Sequence, residues 1–183
     1  EIGRDCASVR KVVSGRNVSC VVFTGDMVGK SGDATQFMNV LDALPKDVTV
    51  VFIAGDSDPA ALDATPHDSI SPYSSWVEQA TNRGAIYLDE PLALTRGNST
   101  LWLVPEYLYT LDLDSMESAY TTQANGLRST TLLLDADQAA QLRVAEYQLT
   151  KIASIREKFA AMQEADVQVA VTHTPLTHEY VST

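Results

Sequence analysis

The sequence has few basic side chains. Thirteen Lys and Arg stand against 24 Asp and Glu, which gives a formal net charge of −11 at pH 7. Sequence-independent binding to nucleic acid needs cations that neutralise phosphates, so this balance excludes a general nucleic-acid-binding surface. A small phosphate ester that is held through a bound cation stays compatible with it.

Three other features are scarce or absent. The two cysteines, Cys6 and Cys20, are too few for a disulfide framework. No apolar run reaches the roughly 20 residues that a membrane-spanning helix needs. Neither the Gly-x-Gly-x-x-Gly fingerprint nor the Gly-x-x-x-x-Gly-Lys-Ser/Thr phosphate loop occurs, because Gly25 lies one residue too close to the Gly-Lys-Ser at 29–31. A nucleotide-binding α/β domain of that kind is therefore disfavoured.

The composition that remains is that of an ordinary globular protein. The chain has 183 residues, 45% of them apolar and 20% charged, which suits a single domain with a sizeable core. We therefore predict one domain over residues 1–183. The chain begins without Met and stops at Thr183 after a strand-like segment, so we expect it to be the central fragment of a longer chain.

The first half alternates strand and helix patterns. Residues 18–24 and 48–54 are β-branched and aromatic runs, and residues 34–44 between them have apolar side chains at helical spacing up to Pro45. This order favours two parallel strands joined by a right-handed crossover. Ser71-Pro72 predicts the start of a further helix.

The second half predicts three short strands, a hairpin, a long helix and a last strand. The three short strands cover residues 85–88, 92–95 and 100–104, with the hairpin turn at Gly97-Asn98. The long helix covers residues 135–163, and the last strand covers residues 167–172. Residues 105–130 fit either an irregular excursion or a short helix. The long helix has an apolar stripe for the core, and its opposite face, with Arg143 and Lys151, is predicted to be solvated. We expect strand 167–172 in the sheet of 18–24 and 48–54.

Three predicted strands end in residues that can bind metal. They continue into Gly25-Asp26, Gly55-Asp56-Ser57-Asp58 and His173. Gly-Asp after a strand is usually a turn, but three such residues at equivalent positions would meet at one edge of a parallel sheet, where α/β folds bind ligands. Neighbouring carboxylates repel unless a proton or cation lies between them. Oxygen and imidazole ligands together suit Mn, Fe or Zn.

These segments resemble the middle motifs of the calcineurin-like metallophosphoesterases. The matching stretches are Thr24-Gly25-Asp26, Ala54-Gly55-Asp56-Ser57-Asp58 and Thr172-His173-Thr174-Pro175-Leu176. That family has five motifs at strand ends: Asp-x-His, Gly-Asp, Gly-Asn-His-Asp/Glu, a His often followed by x-Pro, and Gly-His-x-His. The resemblance covers residues 18–178 and lies in the order of the motifs. It implies a two-sheet α/β sandwich flanked by helices, incomplete at both ends in this chain.

The resemblance also implies roles for four residues. Asp26 would be the carboxylate that bridges two divalent metal ions, and His173 would be a metal-ligating imidazole. Asp56 stands where the family has a metal-binding Asn. Asp58 matches the acid that ends the third motif, supports the neighbouring His and is assigned to catalysis. Two such ions clamp a phosphoryl group and supply hydroxide as the nucleophile.

The sequence departs from the family pattern at several points. Ser57 replaces the His that acts near the substrate, and a Ser hydroxyl is a poor general acid at neutral pH. Asp56 adds a negative charge that attracts cations but repels phosphate. The first and fifth motifs are absent, and His67 and His178 do not replace them.

The sequence therefore predicts a metal-dependent phosphoester hydrolase, a phosphatase or phosphodiesterase, in its complete form. The alternative is a non-catalytic relative that serves as a binding or regulatory module. The expected substrate is a small phosphate ester, and exposed sheet edges would allow a homodimer.

Overall fold

The computed structural model describes residues 6–63, 72–129 and 133–175. Within these ranges the chain is an α/β protein with two small open sheets and five α-helices. It divides into two compact units. One is formed by described residues of 1–61, 75–88 and 171–183, and the other by those of 62–74 and 89–170. None of the described helices is both long enough and apolar enough to span a membrane.

The first unit is built from three strands and three helices in alternation. In chain order they are α1 (Ala7–Gly15), β1 (Cys20–Phe23), α2 (Thr35–Ala43), β2 (Thr49–Phe52), α3 (Ser75–Thr81) and β3 (Ile86–Tyr87). The sheet has the order β1-β2-β3 with all pairs parallel, which confirms the predicted parallel pair. Helix α3 begins at Ser75, later than the predicted start at Ser71-Pro72, and Ser71 lies outside the described residues.

The register of the sheet decides where the site forms. Phe23 of β1 lies opposite Phe52 of β2, so both strands end at the same level. One more backbone hydrogen bond, from the N–H of Ile53 to the carbonyl of Phe23 at 3.0 Å, continues the pairing past the strand ends. The two Gly-Asp segments therefore leave the sheet side by side at its carboxyl edge.

A row of aromatic rings holds α2 and α3 against this sheet. Phe37 of α2 packs edge-on against Phe23 and Phe52, with ring centroids 5.4 Å apart in both pairs. Phe52 in turn contacts Trp76 of α3 at 5.8 Å. Phe37 and Phe52 are almost completely buried. Burial of such side chains contributes about 2–3 kcal/mol each, so these contacts fix the strand ends that carry the site.

The second unit contains a hairpin, two long helices and a further strand. Its elements are β4 (Leu92–Arg96), β5 (Ser99–Pro105), a 3₁₀ turn (Glu106–Tyr109), α4 (Leu113–Arg128), α5 (Ala136–Ala161) and β6 (Val167–Val171). Arg96 pairs with Ser99, which confirms the predicted hairpin turn at Gly97-Asn98. The predicted long helix is confirmed as α5, and a capping box between Asp135 and Gln138 begins it.

Two predictions for this half are corrected. Strand β6 belongs to the sheet β4-β5-β6, so its predicted place beside β1 and β2 is wrong. Its Val-Gln-Val-Ala-Val pattern is compatible with either sheet, and the pattern alone does not identify a partner strand. Residues 113–128 form a helix of 16 residues. The prediction of an irregular excursion or a short helix for residues 105–130 is therefore wrong for most of that range. Val167 and Val169 of β6 are exposed, and the homodimer through sheet edges stays a prediction.

The predicted solvated face of α5 is wrong at two cations. The Lys151 side chain is only 19% exposed, because it lies against Asp89 and Glu90, with its Nζ 3.0 and 2.7 Å from their carboxylate oxygens. Arg143 has its Nε and Nη2 atoms closed to solvent. A long helix that is packed on more than one side has no single polar face, so the simple amphipathic reading fails there.

Candidate metal site

The two Gly-Asp turns touch each other through their glycines. A Cβ at Gly25 would lie 2.6 Å from the Cα of Gly55, and a Cβ at Gly55 would lie 2.4 Å from the backbone N of Asp26. Real Cβ atoms do not approach other atoms so closely, so any side chain would force the turns apart. Gly25 also has a φ of +101°, which favours glycine. Glycine is therefore needed on both strands for the backbone contact between the turns.

Asp26 is held at the centre of the site. Its backbone has a φ of +58°, a left-handed conformation in which Asp is tolerated better than most residues. Its Oδ1 accepts a hydrogen bond of 2.9 Å from the N–H of Ser57 in the second turn. The side chain is 47% exposed, so a ligand from solvent can reach the carboxylate.

Asp58, in the second turn, accepts hydrogen bonds from the backbone of the first turn. Its Oδ1 accepts the N–H groups of Val28 and Gly29 at 2.8 and 3.1 Å, and its Oδ2 accepts the N–H of Gly55 at 2.9 Å. Partial burial raises the pKa of Asp58, but these backbone hydrogen bonds together outweigh burial and hold the pKa below its ordinary value. Each turn thus donates backbone N–H groups to a carboxylate of the other.

His173 completes the group from the segment after β6. Its Nδ1 lies 2.7 Å from the carbonyl oxygen of Thr24, which makes Nδ1 the hydrogen-bond donor. Its Nε2 therefore points away from that bond, and it lies 3.6 Å from Oδ1 of Asp26. The Thr24 carbonyl, first, and the nearby charge of Asp26 raise the pKa of His173 above its ordinary value, while burial opposes them.

Asp56 stands at the margin of this arrangement. Its side chain is exposed, and no hydrogen bond to it occurs in the described part of the chain. Its negative charge is close enough to raise the pKa of His173, after that of Asp26. Asp26 and His173 thus make the direct contact of the site, and Asp58 is bound to the backbone of both turns. Asp56 and Asp58 act on His173 through their charges alone.

The donor atoms of Asp26 and His173 suit a divalent ion. Two ligand atoms that lie about 2.1 Å from one ion at a tetrahedral angle are about 3.4 Å apart, close to the observed 3.6 Å between Oδ1 and Nε2. A ligating His commonly donates its other ring N–H to a backbone carbonyl, as Nδ1 does to Thr24. Within residues 6–63, 72–129 and 133–175, however, no three His, Cys, Asp or Glu side chains form a group that could hold a metal ion.

Two comparisons with known proteins found no relative. No protein-family model matches the sequence, and no curated protein matches it significantly. The local geometry of the turns therefore carries the functional argument.

The site depends on three residues that the sequence patterns did not single out for it. Thr24 contributes a carbonyl, and Val28 and Gly29 contribute N–H groups. These are backbone groups, and their positions follow from the fold rather than from side-chain chemistry. The Gly-rich stretch after Asp26 was the available signal, because glycines mark places where the backbone approaches another group closely. His67 and His178 lie outside the described residues.

Proposed function

We propose that Asp26, Asp56 and His173 bind a divalent metal ion and that the protein is a metal-dependent phosphoester hydrolase, a phosphatase or phosphodiesterase. The proposal rests on one observation. Oδ1 of Asp26 and Nε2 of His173 converge at 3.6 Å while Nδ1 of His173 is occupied by the carbonyl of Thr24. A carboxylate oxygen therefore lies close to an imidazole nitrogen that is not used in the hydrogen bond to Thr24, and Mn, Fe and Zn accept this pair of ligand types.

The chain's own residues would prepare the site before any ligand arrives. Hydrogen bonding to Thr24 fixes the imidazole so that Nε2 is the free nitrogen. Asp58 holds the backbone of both turns and leaves no oxygen without a donor, so its role is to position Asp26. When bound, a divalent ion supplies Lewis acidity toward a phosphoryl oxygen.

The resemblance to the calcineurin-like metallophosphoesterases supports the same class of reaction. In this proposal the two sheets belong to a two-layer α/β sandwich of that family. A second ion would need ligands beyond Asp26, Asp56 and His173, since two metals require more donors than these three side chains supply.

Metal binding is the first test. Calorimetric titration of the chain with Mn²⁺ and Zn²⁺ is expected to show saturable binding, which His173→Gln weakens by at least about tenfold. Asp47→Asn is the matched control, because Asp47 is an exposed acid of the same unit that lies away from the turns. Equal affinity in the wild type, the His173 variant and the control would contradict the proposal.

Hydrolysis is the second test. The native protein in its full length, with added Mn²⁺, is expected to hydrolyse an aryl phosphate or an aryl phosphodiester faster than the metal in buffer does. Ser57→His restores the imidazole of the family motif and should raise the rate. No turnover above the metal control in either protein would exclude the hydrolase and leave only binding.

A second candidate function is a non-catalytic module that binds a metal or a phosphorylated ligand. Ser57 favours it, since Ser57 stands where the family motif has a His that could protonate a leaving group. Titration with nucleotides in the presence of Mn²⁺ separates the two. Tight binding with no product on prolonged incubation supports the module, and product formation supports the enzyme.

A further inference from the structure

The cations on helix α5 share a pattern with one exception. Lys151, Arg156 and Lys158 each contact acids within 3.1 Å. Lys151 pairs with Asp89 and Glu90, Arg156 with Asp114 and Glu117, and Lys158 with Glu90. Arg143 has no ion pair among the described residues, although its Nε and Nη2 are closed to solvent. The exception is unexpected in a chain with a net charge of −11, where acids are plentiful.

Asp89 and Glu90, the two acids that contact Lys151 of α5, already have partners. Tyr147, one turn after Arg143, donates its hydroxyl to Asp89, and Tyr73 donates to the same oxygen at 3.1 Å. Lys151 lies 3.0 Å from the other oxygen of Asp89. Glu90 accepts from Lys151 and from Ser154. Both oxygens of Glu90 have partners, whereas Oδ1 of Asp89 accepts no hydrogen bond from any described residue and lies against the charge of Lys151. Within the described residues neither carboxylate forms an ion pair with Arg143.

Arg143 is partly exposed as a residue, but its Nε and Nη2 reach neither solvent nor a partner among the described residues, and buried donors without an acceptor are destabilising. The two bare atoms also form a particular edge of the group: Nε–H and one Nη2–H point the same way and fit both oxygens of a carboxylate or phosphate. The unpaired edge is therefore the one that recognises an oxyanion in bidentate fashion.

We propose that Arg143 is the anchor of an oxyanion-binding site in the second unit, which takes a phosphate or carboxylate group from outside the chain. The site is separate from Asp26, Asp58 and His173 and does not rest on the proposed hydrolase. The anion is held where water is excluded, so its hydrogen bonds to Nε and Nη2 are strong. Because both atoms are closed in this structure, entry needs local opening and binding is slow.

Thermal unfolding in the presence of anions tests the site. The full chain in EDTA is titrated with inorganic phosphate, with acetate and with chloride at equal ionic strength. The wild type is expected to rise by about 3 °C or more with saturating phosphate or acetate, and chloride gives no such rise. A larger rise with phosphate assigns a phosphate group, and a larger rise with acetate assigns a carboxylate.

Two variants and one control make the result specific. Arg143→Met removes the charge and should abolish the anion-dependent rise, whereas Arg143→Lys keeps the charge but loses the forked edge and should bind at least about tenfold more weakly. Arg156→Met is the control, because Arg156 is an exposed, paired cation on the same helix. If Arg143→Met does not fold, calorimetric affinity of Arg143→Lys decides. Equal stabilisation of wild type and Arg143 variants, or none in the wild type, overturns the proposal.

Discussion

The two Gly-Asp turns end neighbouring strands, and yet their aspartates do different work. Asp26 has a φ of +58°, accepts the N–H of Ser57 and lies 3.6 Å from His173. Asp56 is exposed, and no hydrogen bond to its side chain occurs within the described ranges. The carboxylate that binds the backbone in the second turn is Asp58, two residues later.

This difference separates two tasks that one motif suggests. In the first turn, Asp26 places its charge near His173. In the second turn, Asp58 instead binds backbone N–H groups and holds the two turns together. Asp58 accepts three backbone N–H groups, which keeps both turns in contact and leaves Asp56 free to face solvent. An identical dipeptide therefore does not imply an identical contribution to a site.

The contact of the two turns is the feature whose loss should cost most. In Gly55→Ala the new Cβ would lie 2.4 Å from the N and 2.5 Å from the Oδ1 of Asp26. The clash with backbone cannot relax by a rotamer change, so we expect a loss of about 3 kcal/mol or more in the free energy of unfolding. Urea denaturation measures it.

Gly126→Ala is the control for that variant. Gly126 lies inside α4, and a Cβ there meets nothing within 4 Å. Alanine is the better helix former, so this change should stabilise by about 0.5–1 kcal/mol. A Gly55→Ala protein as stable as the wild type would mean that the turns do not touch in solution.

Much of the first unit could be predicted because its signals are local. Apolar runs bounded by Gly-Asp identify β1 and β2, and the helical spacing before Pro45 identifies α2. The partner strand of β6 could not be predicted, because Val-Gln-Val-Ala-Val is compatible with any open strand edge. Helix α4 does carry a signal, an Asp112 cap whose carboxylate accepts the N–H of Ser115, but its Ser- and Thr-rich surface obscures the spacing.

Metal affinity should distinguish the two aspartates directly. Asp26→Asn keeps an oxygen for the N–H of Ser57 but removes the charge that faces His173. We expect about 100-fold weaker Mn²⁺ binding for Asp26→Asn and about tenfold weaker binding for Asp56→Asn. Calorimetry on the two variants makes the comparison. Equal losses would mean that both carboxylates contact the ion and that the turns are functionally equivalent.

Within the second turn, the loss of Asp58 should lower the free energy of unfolding far more than the loss of Asp56 does. Asp58→Ala leaves the N–H groups of Val28, Gly29 and Gly55 without their acceptor, which costs about 2 kcal/mol at a partly exposed position. Asp56→Ala should stay within about 0.5 kcal/mol of the wild type. Denaturant unfolding of both variants at pH 7 measures the difference.

The pH dependence of the Asp58 effect follows from its pKa. Because the pKa of Asp58 is lower in the folded protein, its contribution is present above the ordinary value of about 3.9 and is lost as the pH falls through the folded value. The stability gap between wild type and Asp58→Ala should therefore narrow in acid. A gap that is the same at pH 3 and pH 7 would contradict bracing by the carboxylate.

The roles within the site were less predictable than its members. Asp26, Asp56, Asp58 and His173 could be singled out because each follows a strand-like run. The structure brings Asp26 and His173 into contact and binds Asp58 to the backbone of both turns, while Asp56 is exposed. That Asp58 braces and Asp56 does not depends on the turn that brings the Asp58 N–H to the Gly55 carbonyl at 3.2 Å. This geometry directs the Asp58 carboxylate back toward the glycine. Adjacent acids in a loop give no such direction by themselves.

The smallest expected effect is a change in the pKa of His173 when the charge of Asp26 or Asp56 is removed. In the metal-free protein the pKa of His173 is raised, with the charge of Asp26 a larger cause than that of Asp56. Asp26→Asn should therefore lower this pKa more than Asp56→Asn does, in an NMR titration of the imidazole. A raised pKa also means that the protonated ring stabilises the fold below about pH 6.5, and that this contribution disappears as the pH rises through the folded value. If Asp56→Asn had the larger effect, the second turn would be the electrostatic centre of the site and the assignment of the two aspartates would have to be exchanged.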